Sequence, residues 1–294
     1  MANSTSKKFP AVIKFGVPAI AIVAAITLFT LNSTDSRAEP TVLLGNSSNF
    51  AVLAGSGITN TGATTVSGTA GGDMGSAPTP AFTGEASVTT TGTKYLAAEA
   101  IVVGAKSALD SAYLDAAGRT STSTISADLA GQKLVGGVYT GASSVGLTGT
   151  LILDGQNNAD AVWIFQAGST LTTASSSVVS LINGAQACNV FWQVGSSMTI
   201  GTGSTFVGHV FAQTSITDDG GSTISGQLLA REAAVTLNNT TIINDACATV
   251  TPTPTATATP TPTVSATPTP TPPPSSGGGD TTPCLLYTSD AADE

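Results

Sequence analysis

Two columns of threonine carry the clearest chemistry in this chain. In the first, an apolar residue precedes each threonine: Leu171 before Thr172, Met198 before Thr199, Ile216 before Thr217 and Val235 before Thr236. In the second, a hydroxyl residue precedes an apolar one: Ser177 before Val178, Thr205 before Phe206, Thr223 before Ile224 and Thr241 before Ile242. Both recur about every 18 residues, after one longer interval stretched by an insertion around residues 183–188. The N-terminal stretch aligns with them, Thr59 in the first column and Thr65 in the second. Threonine brings a methyl, a hydroxyl that donates or accepts, and a β-branch that restricts its rotamers. Stacked columns of it can organise water or a partner surface, but they do no acid–base work.

Groups suited to such work are sparse. The chain has one histidine, His209, expected at the surface or on a strand edge. Asp154, Asp160, Asp218, Asp219, Glu232 and Asp245 are scattered, whereas a polysaccharide lyase or hydrolase needs clustered acids with a base or a metal. Asp218-Asp219 reads as a solvated turn, since calcium wants roughly six or more oxygens from a shaped loop. No enzymatic activity, metal or cofactor is expected. Gly-x-Gly strings fall at predicted corners, not between a strand and a helix, which argues against nucleotide binding. With 9 Lys+Arg against 18 Asp+Glu the net charge is −9, which excludes a phosphate-neutralising patch and hence a nucleic-acid partner. Charged residues make up only 9% of the 294, which leaves a polar but nearly uncharged surface.

The elements that position these columns must be short strands. A third strand fits between successive units at Trp163-Ile164-Phe165-Gln166, Phe191-Trp192-Gln193, Phe211-Ala212-Gln213 and Leu229-Ala230-Arg231. Three strands in about 18 residues make one turn of a β-solenoid, whose equivalent residues stack ~4.7–4.9 Å apart. A less regular turn is expected over 138–154, and Trp163 and Trp192 are expected in the core or facing a helix. One helix is predicted over 94–117, with Leu96, Ile101, Ala105, Ala108, Leu109, Ala112 and Ala116 on one face and Gly118 as its stop. Residues 69–93 read as an irregular cap over an open end of the stack.

The termini differ in style. Residues 1–38 read as a secretion signal: Lys7, Lys8 and Lys14, an apolar run from Gly16 to Leu31, and Ser36-Arg37-Ala38 before Glu39. That places the folded region at 39–248, outside the cell or displayed on it, as a monomer with no membrane contact in its mature form. Residues 249–279 form a Thr/Pro-rich and Ser/Gly linker, and 280–294 an unassigned, artefactual or truncated tail. In a secreted chain Cys188 and Cys247 either pair or stand as small buried residues.

Several stretches resemble the microbial ice-binding protein family: SNFAVLAGSGITNTGATTVSG, DAAGRT, GVYTGASSVGLTGTLILDG, AVWIFQAGSTLTTASSSVVSLINGAQACNVFWQVGSSMTIGTGSTFVGHVFA and AREAAVTLNNTTI. The resemblance covers about residues 45–247 in one continuous order. It implies a mainly β fold, a right-handed parallel β-helix with three faces and one long α-helix packed alongside, and an ice crystal surface as the partner. Some members carry Thr-Ala/Gly-x-Thr/Asn repeats on a flat ice-binding face. Thr61-Gly62-Ala63-Thr64 and Thr202-Gly203-Ser204-Thr205 match that form, Thr173-Ala174-Ser175-Ser176 matches loosely, and Asp218-Asp219 departs from it.

The first choice of ice-binding face is therefore the second column with its neighbours: Thr61, Thr64, Thr65, Thr202, Thr205, Thr223 and Thr241. The competing face is the first column, Thr59, Thr172, Thr199, Thr217 and Thr236. The alternative function is a cell-surface adhesin module that binds a carbohydrate or protein partner, in keeping with the Thr-Pro stretch.

Overall fold

The structure is a computed structural model that describes residues 39–249; the expected signal, linker and tail lie outside the described residues. In-and-out alternation along each strand turns one set of side chains toward the inside of a coil. In the coil made by Trp163–Ala167, Leu171–Thr173 and Val178–Ile182, the buried inward set is Trp163, Phe165, Ala167, Leu171, Thr173 and Val179. Every strand pairing is parallel. The middle strands of successive coils form a seven-stranded sheet, and a 15-stranded sheet wraps over the other two sides. The strands Thr205–Ala212 and Thr223–Ala230 serve both of those sides. They turn at Gly208 and Gly226, whose φ values are 117° and 149°. A Cβ on Gly226 would come within 2.0 Å of the Gly208 carbonyl oxygen, so only glycine fits this bend.

The coils are not stacked in chain order. Along the seven-stranded sheet the strands run Val145–Leu147, Leu171–Thr173, Met198–Ile200, Ile216–Asp218, Val235–Asn238, Ile58–Thr61 and Phe82–Thr83. The N-terminal coil thus docks on the C-terminal one, and the chain must then travel back to the far end of the stack. The helix Ala100–Gly118 makes that journey: its 19 residues reach ~28 Å, about six strand spacings. Its buried side chains, Val102, Ala105, Leu109, Ala112, Tyr113 and Ala116, are mostly small, which lets it lie close to the side formed by Leu53, Val138, Ile164, Phe191, Phe211 and Leu229. A second, larger cluster fills the solenoid, with the rings of Phe165 and Trp192 stacked 4.0 Å apart at its centre. Trp163 and Trp192 both lie in that interior cluster.

Three expectations about the elements need correction. The helix begins at Ala100, not 94, because Lys94–Tyr95 is a strand pairing with Asp73–Ser76; Leu96 thus falls outside it, Ile101 stands on its outward face, and both are exposed. Residues 69–93 do close one end of the stack, but as a further coil and not as an irregular segment, with strands Asp73–Ser76, Phe82–Thr83 and Val88–Thr90 continuing all three sides. One of the third-strand matches shifts by two residues, so that Phe191 faces His209 and Gln193 faces Phe211, whereas Phe211 pairs with Leu229 and Ala212 with Ala230 as expected.

Polar contacts fix the helix along one edge. Arg231 reaches Asp110 at 2.7 Å and lies over the Tyr113 ring, 4.4 Å from its centroid. Lys106 donates to the carbonyls of Ala230 and Arg231 at 2.6 Å each, and burial holds its ammonium down to about 8. The buried Gln193 amide donates to the Tyr113 hydroxyl at 2.8 Å. Tyr113→Phe leaves that amide without its partner and is expected to cost about 1–2 kcal/mol. The check is a lower denaturant midpoint at an unchanged slope.

Candidate functional site

Both threonine columns exist, and the strand register extends each beyond what the repeats revealed. On the seven-stranded sheet Thr172 pairs with Thr199, Thr199 with Thr217, Thr217 with Thr236, Thr236 with Thr59 and Thr59 with Thr83. Gly146 stands opposite Thr172 at one end of the row. All six hydroxyl side chains point away from the core, because the residues flanking each threonine in its strand point inward. A second outward row runs beside the first, through Ser144, Thr170, Ser197, Ser215, Ala234, Gly57 and Ala81. Neighbouring hydroxyls in it are linked, Thr170 to Ser144 and Ser215 to Ser197, each at 2.9 Å. Neither row contains a charge.

The second column lies on the uncovered side of the larger sheet. Its register is Thr150, Val178, Thr205, Thr223, Thr241, Thr65 and Thr89. Thr65, Thr205, Thr223 and Thr241 from the first-choice set stand there, half-buried or exposed. Two features set this side apart from the seven-stranded sheet. The strand Val178–Ile182 pairs with Thr150–Asp154 at five positions but meets Thr205–Ala212 at one, Val178 with Thr205. Beyond that point one chain runs on toward the insertion bearing Cys188 while the other bends at Gly208. The same side also ends in a charge pair, Lys133 with Asp154 at 2.7 Å. That contact, with backbone and Asn183 donors, holds the Asp154 carboxyl down to about 2.

Other members of the first-choice set stand elsewhere. Thr64 is 1% exposed and donates to Asn60 Oδ1 at 2.7 Å, so it faces inward. The reason is alternation: Thr64 and Thr65 are neighbours in one strand, and only one can face out. Thr61 is exposed at the end of the strand Ile58–Thr61 of the seven-stranded sheet, opposite Asn238 and two residues from Thr59, and Thr202 is exposed in the turn before Thr205; neither stands in the two rows described. The same one-residue slip affects the coil at 171–182, where Val178 occupies the outer row and Ser177 is buried. Ser177 joins Ser204, Ser222, Thr240 and Thr64 in an internal hydroxyl ladder at the corner between the two uncovered sides. Ser204, for example, donates to the Gly201 carbonyl at 2.6 Å, so each of these hydroxyls supplies a partner where the chain turns.

Two readings of titratable groups change. Asp218 is not part of a solvated turn: it is 1% exposed, faces the interior and accepts from the Thr240 hydroxyl. Only Asp219 reaches the surface, at the corner beyond the two rows of the seven-stranded sheet. His209 is not at the surface but 3% exposed, stacked 5.3 Å from Phe191 beneath the N-terminal segment. Cys188 and Cys247 form a disulfide with a Cα–Cα distance of 5.4 Å. Among the described residues no three His, Cys, Asp or Glu side chains gather as metal ligands would. The repeats did not reveal Thr83, Thr89 and Thr150: Thr83 after Phe82 and Thr150 before Leu151 fit their columns, whereas Thr89 is followed by Thr90 where its column has an apolar residue.

Known proteins share this architecture. The sequence profile of the family described as ice-binding-like matches residues 52–243. The ice-binding protein of Nostoc sp. (strain HG1) is 41% identical over 233 residues, which cover 78% of this chain and 83% of that protein. The crystal structure of an ice-binding protein from the Antarctic ascomycete Antarctomyces psychrotrophicus has a TM-score of 0.65 at 40% identity, covering 68% of this chain and 97% of that one. An ice-binding protein from an Antarctic biological consortium gives a TM-score of 0.67 at 38% identity, covering 70% and 92%.

Proposed function

The chain belongs to the ice-binding-like family, and from that premise we propose that it adsorbs to ice through the seven-stranded sheet. The observation that carries this reading is the row of six threonines on adjacent strands, unbroken in register and flanked by a second row without charge. Ice offers a repeating, uncharged lattice of donors and acceptors. A surface that joins it must hold water in a compatible pattern, and charged groups hydrate strongly in competing geometries. Threonine methyls leave water to order around them, while the hydroxyls donate or accept as the lattice demands. Restricted rotamers on a continuous sheet mean that little entropy is lost on attachment. Many weak contacts on one rigid plane then add up to slow detachment.

The other uncovered side is the weaker candidate because its pairing breaks at Val178 and Val178 itself interrupts the threonine row. It remains the natural comparison, since Thr205 and Thr223 are exposed there. In this reading the domain acts by adsorption and has no catalytic role; it works outside the cell, as a monomer. Among the described residues no helix is long and apolar enough to cross a membrane. An adhesin that stacks sugars on aromatic rings would need Trp163 or Trp192 at the surface, and both are buried.

The direct test is partition into slowly growing ice. The protein is expected to enrich in the frozen fraction and to shape the crystals, at an ionic strength that screens surface charge as well as at low salt. Exclusion from the ice to the same degree as an inert protein of equal size would overturn the reading.

A further inference from the structure

In a three-sided coil the vertex between the last strand of one turn and the first of the next lies opposite the middle strand. Here the middle strands form the seven-stranded sheet, and both ends of the described chain gather at the opposite vertex. Residues 41–45 and 244–246 line one cavity there with Cys188, Phe191 and His209. The departing C-terminal segment is held by several contacts in a few residues. Asp245 accepts from the backbone N–H of Thr69 at 2.8 Å, and the Ala246 N–H donates to the Thr69 hydroxyl at 3.0 Å. Ala248 donates to Gln186 at 2.7 Å, and Cys247 is bonded to Cys188. The sequence continues for 45 residues beyond Thr249, opening with a Thr-Pro repeat.

We propose that this vertex is a force-bearing anchor and that the Cys188–Cys247 disulfide is its clamp. This deepens the ice-adsorption reading, since it describes how the domain stands a pull on the chain beyond 249 while the opposite sheet is engaged. The argument is one of load path. Without the bond, a pull on residue 249 falls first on the hydrogen bonds of 245–248. It then falls on the three-residue strand Thr241–Ile243, which can be stripped from its neighbours one pair at a time. With the bond, the pull crosses at Cys247 into Cys188, 59 residues earlier in the chain. Between residue 249 and Ser143 the load then runs along the chain that precedes Cys188, to the strand Val178–Ile182, which is paired at five positions with Thr150–Asp154. The coils between 189 and 246, which carry Thr199, Thr217 and Thr236 of the proposed ice-facing row, lie in the closed loop outside this covalent path. A pull on the C-terminal chain therefore leaves those three threonines unloaded.

The test is single-molecule extension of the full chain in liquid water, where rupture reports kinetic resistance to unfolding. One handle is placed at the C-terminus and the other at a click-reactive residue replacing the exposed Ser143. The oxidised protein is expected to show no early step, whereas the C188S/C247S double variant releases the segment behind residue 247 at low load. A second axis, between handles at Thr41 and Ser143, leaves the disulfide out of the path and is expected to give the same rupture load in both proteins. Equal first-step loads along the C-terminal axis would overturn the proposal. Equal weakening of the variant along both axes would also overturn it, by reducing the disulfide to a general stabiliser. If the double variant does not fold, the oxidised protein treated with reductant after folding replaces it, with the same outcomes. Because no ice is present, failure here leaves the ice-adsorption reading standing, and failure of that reading leaves the clamp testable.

Discussion

The double variant Thr217→Tyr/Thr236→Tyr is expected to lose most thermal hysteresis, on the order of ten-fold or more, while melting within a few degrees of the parent. The two residues are adjacent members of the row at the middle of the seven-stranded sheet, between Thr199 and Thr59. Each phenol ring would stand proud of the surrounding methyls and hold the sheet away from the lattice. Contacts on a plane of this kind act together, so separating the middle of the plane weakens all of them. The folded state is touched little, because both side chains point outward from strands and tyrosine is a good strand former; surface changes of this kind usually stay within ~0.5 kcal/mol. The matched variant Thr205→Tyr/Thr223→Tyr places the same bulk on the other uncovered side and is expected to keep most of the activity. Reversal of that order, with the second variant inactive and the first intact, moves the ice-binding surface to the side that was the first choice from the sequence.

What the repeats disclosed, and what they hid, follows from how a solenoid is built. Column membership is a local property: an apolar residue beside a hydroxyl, then a corner, recurs in each turn, so Thr172, Thr199, Thr217, Thr236 and Thr59 were legible as one set. Their order in space was not. Thr59 sits between Thr236 and Thr83 because the N-terminal coil docks on the C-terminal one, and nothing local records which coil finds which. Facing is decided by single-residue alternation, so one misplaced residue inverts it, as Ser177 and Thr64 show. The insertion ahead of Cys188 made the alignment slip there, and the same insertion interrupts the larger sheet. Thr83 was hidden because the Gly- and Pro-rich composition of 69–93 resembles a loop, although each strand needs only two or three residues to pair with a ready-made neighbour. Asp218 looked exposed on residue type alone. Its burial depends on the hydroxyl of Thr240, 22 residues away, which no local window contains.

His209 makes the domain's stability depend on pH between about 6.5 and 4. The imidazole is buried beside Phe191, and burial lowers it from its ordinary value to about 4. Its Nδ1 has no hydrogen-bond partner, nor has Gln227 Oε1. The direction follows from proton counting. In the unfolded chain the histidine takes up a proton near pH 6.5, whereas in the folded chain it stays neutral to about 4. Stability is thus fully present above 6.5, falls as pH drops through the window, and is flat with respect to this group below it. At ~1.4 kcal/mol per pH unit the loss comes to about 3 kcal/mol. Asp154 and Asp128 add little over most of that range, since both are held below the usual carboxylate value and lose their stabilising contacts only at lower pH. His209→Phe, which keeps the stacked ring and removes the titration, is expected to flatten the profile of denaturant midpoint between pH 6.5 and 4.5 while leaving ice adsorption intact. Because the chain has one histidine, its imidazole resonance can be followed directly, with half-titration expected near 4. A resonance that titrates near 6.5 in the folded protein, with a pH profile unchanged by His209→Phe, would show that water reaches the ring and that the vertex beneath the N-terminal segment is open.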